Sequence, residues 1–353
     1  MKGQKVYTGL RIKNRRVGFI SRIIWIQIFF ILFFHLSYGE KMAELPMVMK
    51  PFSMTIGQGR LYIIEEKSKI HIFKIGNNNA RFIKTFGTYG EGPGEFRFIH
   101  RLAVRNNYLE IPTSGKYARF TLDGKLIDEK KLPFRVFKNG IYKTEKNYLI
   151  RDFITTNKSM DIKIKLYGSD LNLLKELGVK SEKFNPNRIN VAGNYFSCFV
   201  DDNMIYIVES TKETTVKKYD QDGKFLSEIK LLLESIQMDA GLREKMTGEL
   251  SEGMNKAIWK VVKKRFFLPD YVPGLNWFGI DNGRIIVRTY RFNDDKAEFV
   301  FFDHKGKELK RVFLYDTGRT SGGIRFCFNN GYYYYLKENV DDEIWELFVI
   351  KIF

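Results

Sequence analysis

Four side chains just after a glycine-rich loop could bind a charged or polar ligand. They are Glu95, Arg97, His100 and Arg101, and they follow the segment 87–94, which contains four glycines. An arginine guanidinium forms paired hydrogen bonds with a carboxylate or phosphate, while histidine and glutamate add a titratable donor and an acceptor. The favoured interpretation of the glycines is a turn between two strands. The alternative is a ligand site formed by these four candidate side chains.

A second candidate site lies at the end of a segment with helical periodicity. Apolar residues recur at every fourth position from Leu242 to Val262, as on one face of a helix. The segment then ends in cations, among them Lys263 and Arg265. We expect either a helix packed on the fold with its lysines in water, or a lid, a partner-binding helix or a helix that contacts an anionic surface.

The spacing of histidine, cysteine and acidic residues predicts no metal, no cofactor and no catalytic residue. His71, His100 and His304 lack the H-x-H and H-x-x-x-H spacings of zinc ligands, and the acidic clusters do not match a calcium-binding loop. No Lys-Ser or Lys-Thr pair follows the glycine-rich loop, so a nucleotide site is not indicated. Cys198 and Cys327 fall in strands two repeats apart, and we expect buried thiols rather than a disulfide.

Residues 1–39 have the layout of a secretory signal peptide. Residues 1–22 contain seven cations and no acid, and they precede an apolar run at 23–34 and the small residues Ser37 and Gly39. We expect export to an extracytoplasmic compartment (the periplasm, the envelope or the medium) with cleavage after Gly39, and an uncleaved anchor is the alternative. Membrane contact is expected only through this segment.

The remainder of the chain, 40–353, is basic. Removal of the leader's seven cations lowers the formal net charge from +18 to +11. A basic exported domain is attracted to anionic glycans, phospholipid headgroups or nucleic acid. Of the possible ligands we expect a protein or an anionic glycan, and no nucleic acid. The simpler alternative is that the lysines lie scattered over exposed strand faces.

A strand, a tight turn and a second strand recur along the chain. Clear copies lie at 118–126, 216–225 and 299–309, and each contains an Asp and a Gly, which suit hairpin turns. Further strands opened by Asn or Gly precede these hairpins, which gives a repeat of about 45 residues and four strands. The pattern predicts an all-β fold, a six-bladed β-propeller, rather than a β-sandwich.

The predicted propeller spans 40–353 and includes a helical insertion at 232–272, between blades four and five. Only three strands are evident in the last blade, so Leu45–Lys50 is predicted to supply its outer strand and close the ring. The six blades are predicted near 51–87, 96–133, 134–178, 191–231, 275–314 and 324–353.

The motif GEGPGEF at 90–96 resembles a signature of exported bacterial six-bladed propellers related to the NHL-repeat group. The resemblance in repeat layout covers nearly all of the chain after the leader, but this motif alone is specific. It implies the propeller fold and an extracytoplasmic setting. It implies no activity, because members of that group are mostly without an assigned one, and the insertion lies outside it.

Three functions are compatible with the sequence. The leading one is an exported, non-enzymatic propeller that binds a protein or glycan through its loop face. The second is a hydrolase or lyase that acts on a sugar or peptide in the central channel. The third is a structural role at the envelope surface driven by positive charge.

The two candidate sites are predicted to share one face of the propeller. All connections between successive blades emerge on the same face, so the glycine-rich loop and the insertion should stand on opposite sides of one channel mouth. We expect Leu242, Met246, Leu250 and Ile258 to rest on this face, and the basic end at 263–265 to help shape the entrance.

Overall fold

The computed structural model describes residues 39–353, apart from 78, 100, 106, 114, 134–139, 157–158, 184, 193–194, 212, 253 and 317–322. The leader and the candidate ligand residue His100 lie outside these described residues. Residues Glu40–Phe353 form one structural unit.

Six four-stranded antiparallel sheets form the blades of a propeller in the described part of the chain. Five of them are built from four strands that follow one another in sequence, from the innermost to the outermost. Their strands are β2 (Pro51–Gly57), β3 (Arg60–Glu65), β4 (Lys69–Ile75) and β5 (Ala80–Phe86); β6 (Ala103–Arg105), β7 (Tyr108–Pro112), β8 (Lys116–Thr121) and β9 (Leu126–Lys131); β10 (Ile141–Lys143), β11 (Tyr148–Thr155), β12 (Ser159–Tyr167) and β13 (Leu173–Lys183); β15 (Tyr195–Asp201), β16 (Met204–Ser210), β17 (Thr214–Tyr219) and β18 (Phe225–Leu231); and β22 (Trp277–Asp281), β23 (Arg284–Asn293), β24 (Lys296–Phe302) and β25 (Glu308–Tyr315).

The sixth blade joins the two ends of the described chain. Its inner strands are β26 (Phe326–Asn329), β27 (Tyr332–Asn339) and β28 (Ile344–Lys351), and its outermost strand is β1 (Glu40–Leu45). β1 runs antiparallel to β28, with Leu45 opposite Trp345. The prediction that 45–50 forms this strand was wrong by five residues. Pro46 has no N–H to donate to a ladder, so the strand ends at Leu45 and the chain turns toward β2.

Two helices lie in the chain between β18 and β22. They are α1 (Ala240–Glu252) and α2 (Lys256–Val262), and a 3-10 turn (Lys263–Arg265) follows α2 directly. Two short ladders flank them: β14 (Ile189–Asn190) pairs in parallel with β20 (Phe266–Phe267), and β19 (Ile236–Gln237) pairs with β21 (Tyr271–Val272).

The apolar stripe of the helical segment packs over only part of its length. Leu242 is buried with Met238 and Val272, and Met246 packs against the same cluster. Ile258, by contrast, is 57% exposed, so the prediction that it rests on the propeller was wrong. The stripe is interrupted because α1 ends at Glu252 and α2 begins anew, with its first turn capped by the Asn255 side chain.

Apolar side chains between neighbouring blades form the core. In one such interface, Tyr62 and Ile72 from β3 and β4 pack against Leu109 and Phe120 from β7 and β8, and all four side chains are buried. Each blade thus covers the face of the next, so the ring must close for every face to be covered. The Asp-Gly hairpin turns support this arrangement, since Gly223 has a φ of 76°, which residues with a side chain rarely adopt.

Glu65, at the end of β3, fastens the segment that follows β1. Its Oε1 accepts hydrogen bonds from the backbone N–H groups of Met49 (2.6 Å) and Lys50 (2.8 Å), and its Oε2 lies 2.7 Å from Nε2 of His71. Burial alone would favour the neutral acid, but the two backbone donors and His71 lower the pKa of Glu65. The Trp345 indole N–H also donates to the carbonyl of Met49 (3.1 Å), so the closing segment is held from both sides.

Replacement of Glu65 by alanine should destabilise the closed ring. Glu65→Ala leaves two buried backbone donors and His71 without their acceptor, and we expect the free energy of unfolding to fall by roughly 2–5 kcal/mol. The matched control is Glu66→Ala, because Glu66 is exposed and pairs only with exposed Lys69; its effect should stay within about 0.5 kcal/mol. Urea unfolding followed by tryptophan fluorescence measures both, and equal effects of the two variants would contradict the assignment.

Candidate functional site

The inner strands of the blades enclose a central channel of about 1640 Å³. The strands of a blade alternate in direction, so each outermost strand ends, and each inner strand begins, at the same end of the channel. The described connections between blades, including the helical segment, lie at this end. We call this the helix end, and we call the opposite end, where each inner strand turns into its neighbour, the turn end. The two ends carry different side chains.

Methionine and leucine side chains from the helical segment line the helix end. Met246 and Leu250 of α1 and the following Met254 contribute to the channel wall, and all three are half-buried. Such flexible apolar side chains adapt to ligands of different shape. The first helix therefore forms part of the channel mouth, as far as the described residues show.

Aromatic rings make up much of the channel wall. Trp277 packs edge-on against Phe326 (ring centroids 5.2 Å apart) and is stacked near Phe328 (6.2 Å). Rings that face the channel and are half-buried offer flat apolar surfaces to a sugar ring or an apolar side chain. They are Phe98, Phe153, Tyr195, Phe199, Trp277 and Phe328.

Two arginines project into this aromatic surface. The guanidinium of Arg101 lies 4.1 Å from the ring centroid of Tyr142 and 5.6 Å from that of Phe199. Arg151 lies 4.6 Å from the ring of Phe153, and its Nη1 donates a hydrogen bond to Oγ of Ser197 (3.2 Å). Stacking of this kind holds a guanidinium in place while its edge stays available.

The positive charges of the two arginines affect the pKa values of the same two buried groups. Burial raises the pKa of Tyr142 to about 12, and Arg101 and Arg151 oppose the rise. Burial likewise raises the pKa of the Cys198 thiol to about 12, again against the effect of both arginines. Both guanidinium groups also reach the same inner strand, β15, because Arg101 lies beside Phe199 and Arg151 donates to Ser197, two residues earlier.

Acidic residues concentrate at the turn end. Asp201, Asp202, Asp281 and Glu145 line the channel there, with Arg105 as the accompanying cation. Burial, followed by the charges of Asp202 and Asp281, raises the pKa of Asp201, although Arg105 opposes the rise.

Asp281 also joins two blades at this end. Its carboxylate accepts the backbone N–H groups of Asn330 (2.9 Å) and Gly331 (2.7 Å) in the adjacent blade. Asn203 makes a similar link, because its side-chain oxygen accepts the N–H of Glu145 (2.8 Å). These polar links are built into the turns of the scaffold.

Of the predicted ligand residues that the structure describes, only Arg101 lies among those that line the channel. Glu95 instead turns into its own loop, where its Oε2 accepts the N–H of Gly92 (2.9 Å). Arg97 is 66% exposed and pairs with Glu91 (3.0 Å). Lys263 and Arg265 are exposed in the 3-10 turn and are not part of the channel wall.

The glycine-rich loop is fastened to the next blade. Lys116 donates to the carbonyl of Gly92 (2.9 Å) and pairs with Glu129 (2.8 Å), whose carboxylate also accepts the N–H of Gly94 (3.2 Å). The loop's polar groups are thus occupied within the protein. This geometry favours the interpretation of the loop as a turn between blades.

Sequence reasoning missed Arg151, Ser197 and Trp277. They lie on three different blades and share no motif, and spacing along the chain cannot show that they face one channel. The available signal was position, because Ser197 and Trp277 lie near the start of strands that the repeat places innermost.

Two further observations concern only the part of the chain that the structure describes. No cluster of three or more His, Cys, Asp or Glu side chains is arranged there to hold a metal ion. None of its helices is both long and apolar enough to span a membrane.

Comparison with known proteins gives a family match and many similar solved structures, two of which are named below. The model of a family described as DUF5128, 6-bladed beta-propeller, matches residues 49–239. The crystal structure of a computationally designed protein has a TM-score of 0.44 at 8% identity and covers 88% of this chain and 100% of that one. The crystal structure of BamB from Moraxella catarrhalis has a TM-score of 0.41 at 8% identity, with 88% and 99% covered. No curated protein matches the sequence.

Replacement of Asp201 by asparagine should stabilise the protein near neutral pH. The pKa of Asp201 is raised in the folded state, so its ionised form disfavours folding above the ordinary aspartate pKa, and this cost disappears as the pH falls. We expect Asp201→Asn to raise the melting temperature at pH 7 and the gain to shrink towards pH 4. Asp341→Asn, an exposed control, should change neither value. A gain in melting temperature that does not depend on pH would contradict the assignment of the effect to the ionised Asp201 carboxylate.

Cys198 and Cys327 should be unreactive in the folded protein. Both are free thiols, as predicted, and burial raises the pKa of each, so little thiolate forms near pH 8. We expect slow alkylation by iodoacetamide in buffer and two added groups after unfolding in urea without reductant, as read by mass spectrometry. Absence of labelling in urea would contradict free thiols, and fast labelling of the native protein would contradict the raised pKa values.

Proposed function

Because this chain belongs to the six-bladed β-propeller family DUF5128, we propose that it is a non-enzymatic binding protein that takes a protein segment or a glycan chain at the loop face of its channel. The observation that carries the proposal is the helix end of the channel, where aromatic rings and two stacked arginines line part of a channel of about 1640 Å³. Concave sites with apolar walls and a few placed polar groups are typical of ligand binding.

The chemistry of the channel groups favours binding over catalysis. Tyr142 and Cys198 both have a pKa of about 12, so neither supplies an anion for attack near neutral pH. Ser197 accepts a hydrogen bond from Arg151, which is not a base. Tyr142, Cys198 and Ser197 are therefore poorly suited to attack a bound ligand.

The alternative is a hydrolase or lyase that acts on a sugar or peptide in the same channel. It is favoured by one observation at the turn end, where Asp201 has a raised pKa near the charges of Asp202 and Asp281. A carboxyl group with a raised pKa beside an ionised one is the arrangement of many acid–base pairs. Release of product from any bound probe would establish this alternative.

Export and the role of the helical insertion are part of the same proposal. The basic and apolar segment 1–39 supports secretion, and the resulting domain would be 40–353. Residues 232–272 would act as the entrance element of the channel. The motif at 90–96 supports a relation to NHL-type propellers, and the basic charge of +11 after removal of the leader supports an anionic glycan among the ligands.

A bulky label at the channel mouth should prevent binding. The full chain is tested by calorimetry against arrays of short oligosaccharides and peptides, and the strongest binder becomes the probe. Leu250→Cys labelled with fluorescein maleimide places a large group in the channel, and we expect at least about tenfold weaker binding. Leu232→Cys with the same label is the control, because Leu232 is 86% exposed and does not line the channel.

Two outcomes of this experiment would contradict the proposal. Binding that is unaffected by the label on Leu250→Cys would place the ligand elsewhere on the protein. Conversion of the probe, detected by mass spectrometry after incubation, would show an enzyme. Equal melting temperatures of the two labelled variants exclude unfolding as the cause of weaker binding.

A further inference from the structure

We propose that Arg101 and Arg151 form a carboxylate subsite that binds an acidic sugar of a glycan chain. The inference rests on the proposed function and specifies its ligand. The observation behind it is that both guanidinium groups line the channel and lack an acidic partner among the described residues.

Arg101 presents donors that the described residues do not satisfy. Its Nη1 is buried and has no hydrogen-bond acceptor, while the guanidinium plane is held against Tyr142 at 4.1 Å and near Phe199. Removal of a donor from water without a partner is unfavourable. The buried Nη1 is closed to the channel, so an oxyanion there would bind the open edge of the guanidinium, which forms no hydrogen bond with a described residue.

Arg151, on the neighbouring blade, also has a buried nitrogen without an acceptor among the described residues. Its Nη1 donates to Ser197, but its Nε is buried and has no acceptor among the described residues. Phe153 stacks at 4.6 Å and fixes the direction of the side chain. Both arginines line the same channel and influence the same two groups, Tyr142 and Cys198.

Several other arginines that are at least half-buried in the described part of the chain have an acidic partner. Arg288 pairs with Asp316, Arg105 with Glu110, and Arg60 with Asp123. For Arg101 and Arg151, no ion pair is formed with any described carboxylate. Two neighbouring guanidinium groups without such a partner are arranged for an anion that comes from outside the chain.

The charge at the helix end suits a singly charged ligand group. Among the described residues that line this end, Lys67, Arg101 and Arg151 are cations and Glu182 and Glu249 are carboxylates, which gives a sum of +1. A carboxylate matches that charge, whereas a doubly charged phosphate would exceed it and meet repulsion from the two acids.

The surrounding rings favour an acidic sugar over an acidic peptide. In a hexuronic acid the carboxylate is attached directly to the sugar ring, so a carboxylate held by the arginines brings the flat face of that ring against the wall. Half-buried Phe199 and Phe153, which lie beside Arg101 and Arg151, provide apolar faces there. A glutamate side chain would carry the same charge on a flexible stem without a ring to stack.

Calorimetry with three matched probes tests the subsite on the full chain. The probes are trigalacturonic acid, its methyl ester, in which the rings are retained and the charges removed, and the peptide Glu-Glu-Glu. We expect the acid to bind at least about tenfold more tightly than the ester and the peptide. Arg101→Gln and Arg151→Gln should each abolish most of this preference, and Arg151→Lys should restore only part of it, because a lysine cannot form the paired contact.

Arg97→Gln is the matched control, because Arg97 is exposed outside the channel and pairs with Glu91. It should leave binding of the acid unchanged. Equal binding of acid and ester that the Leu250 label still blocks would overturn the carboxylate subsite but retain the proposed function. Tighter binding of the peptide would overturn the acidic sugar. Binding of no probe would overturn the carboxylate subsite, whereas the proposed function fails only if the oligosaccharide and peptide arrays also give no binder. Unchanged melting temperatures of the glutamine variants show that a lost preference reflects the site rather than the fold.

Discussion

Pairing of β1 with β28 is the constraint on which the rest of the structure depends. A blade of this propeller covers its apolar faces only against its neighbours, and the sixth blade is complete only when a strand from the start of the described chain joins three from its end. The channel exists because the ring is closed. Glu65 and Trp345 hold the segment after β1, so buried polar groups reinforce the closure that hydrophobic burial favours.

The same topology separates the channel into two chemically different ends. Connections between blades, including α1, lie where the inner strands begin, and this end carries the stacked arginines Arg101 and Arg151. The hairpin turns lie at the other end and carry Asp201 and Asp281. Asp281 accepts backbone hydrogen bonds from the adjacent blade, and burial raises the pKa of Asp201. Binding chemistry and structural polar links are thus kept apart along one axis.

Local patterns along the chain are sufficient to predict the blades, but not the closing strand or the side chains that line the channel. The hairpin repeat predicts the blades because turn residues and alternating strands are local signals, and Gly223 adopts the positive φ that its turn requires. The closing strand was misplaced because several short segments before β2 suit a strand, and only pairing with β28 selects one. Glu95 and Arg97 looked equivalent to Arg101, yet one serves its own loop and the other faces solvent.

The sequence by itself determined the all-β repeat, the six blades, the two free cysteines and the basic charge, because each depends on composition or on neighbours within a few residues. Only the tertiary structure decided which side chains meet in the channel. Arg101 precedes β6, Arg151 lies in β11 and Trp277 begins β22, and no local signal relates residues so far apart. They come together because closure of the ring brings strands from every blade to a common axis, and contacts of that kind are set by packing rather than by spacing along the chain.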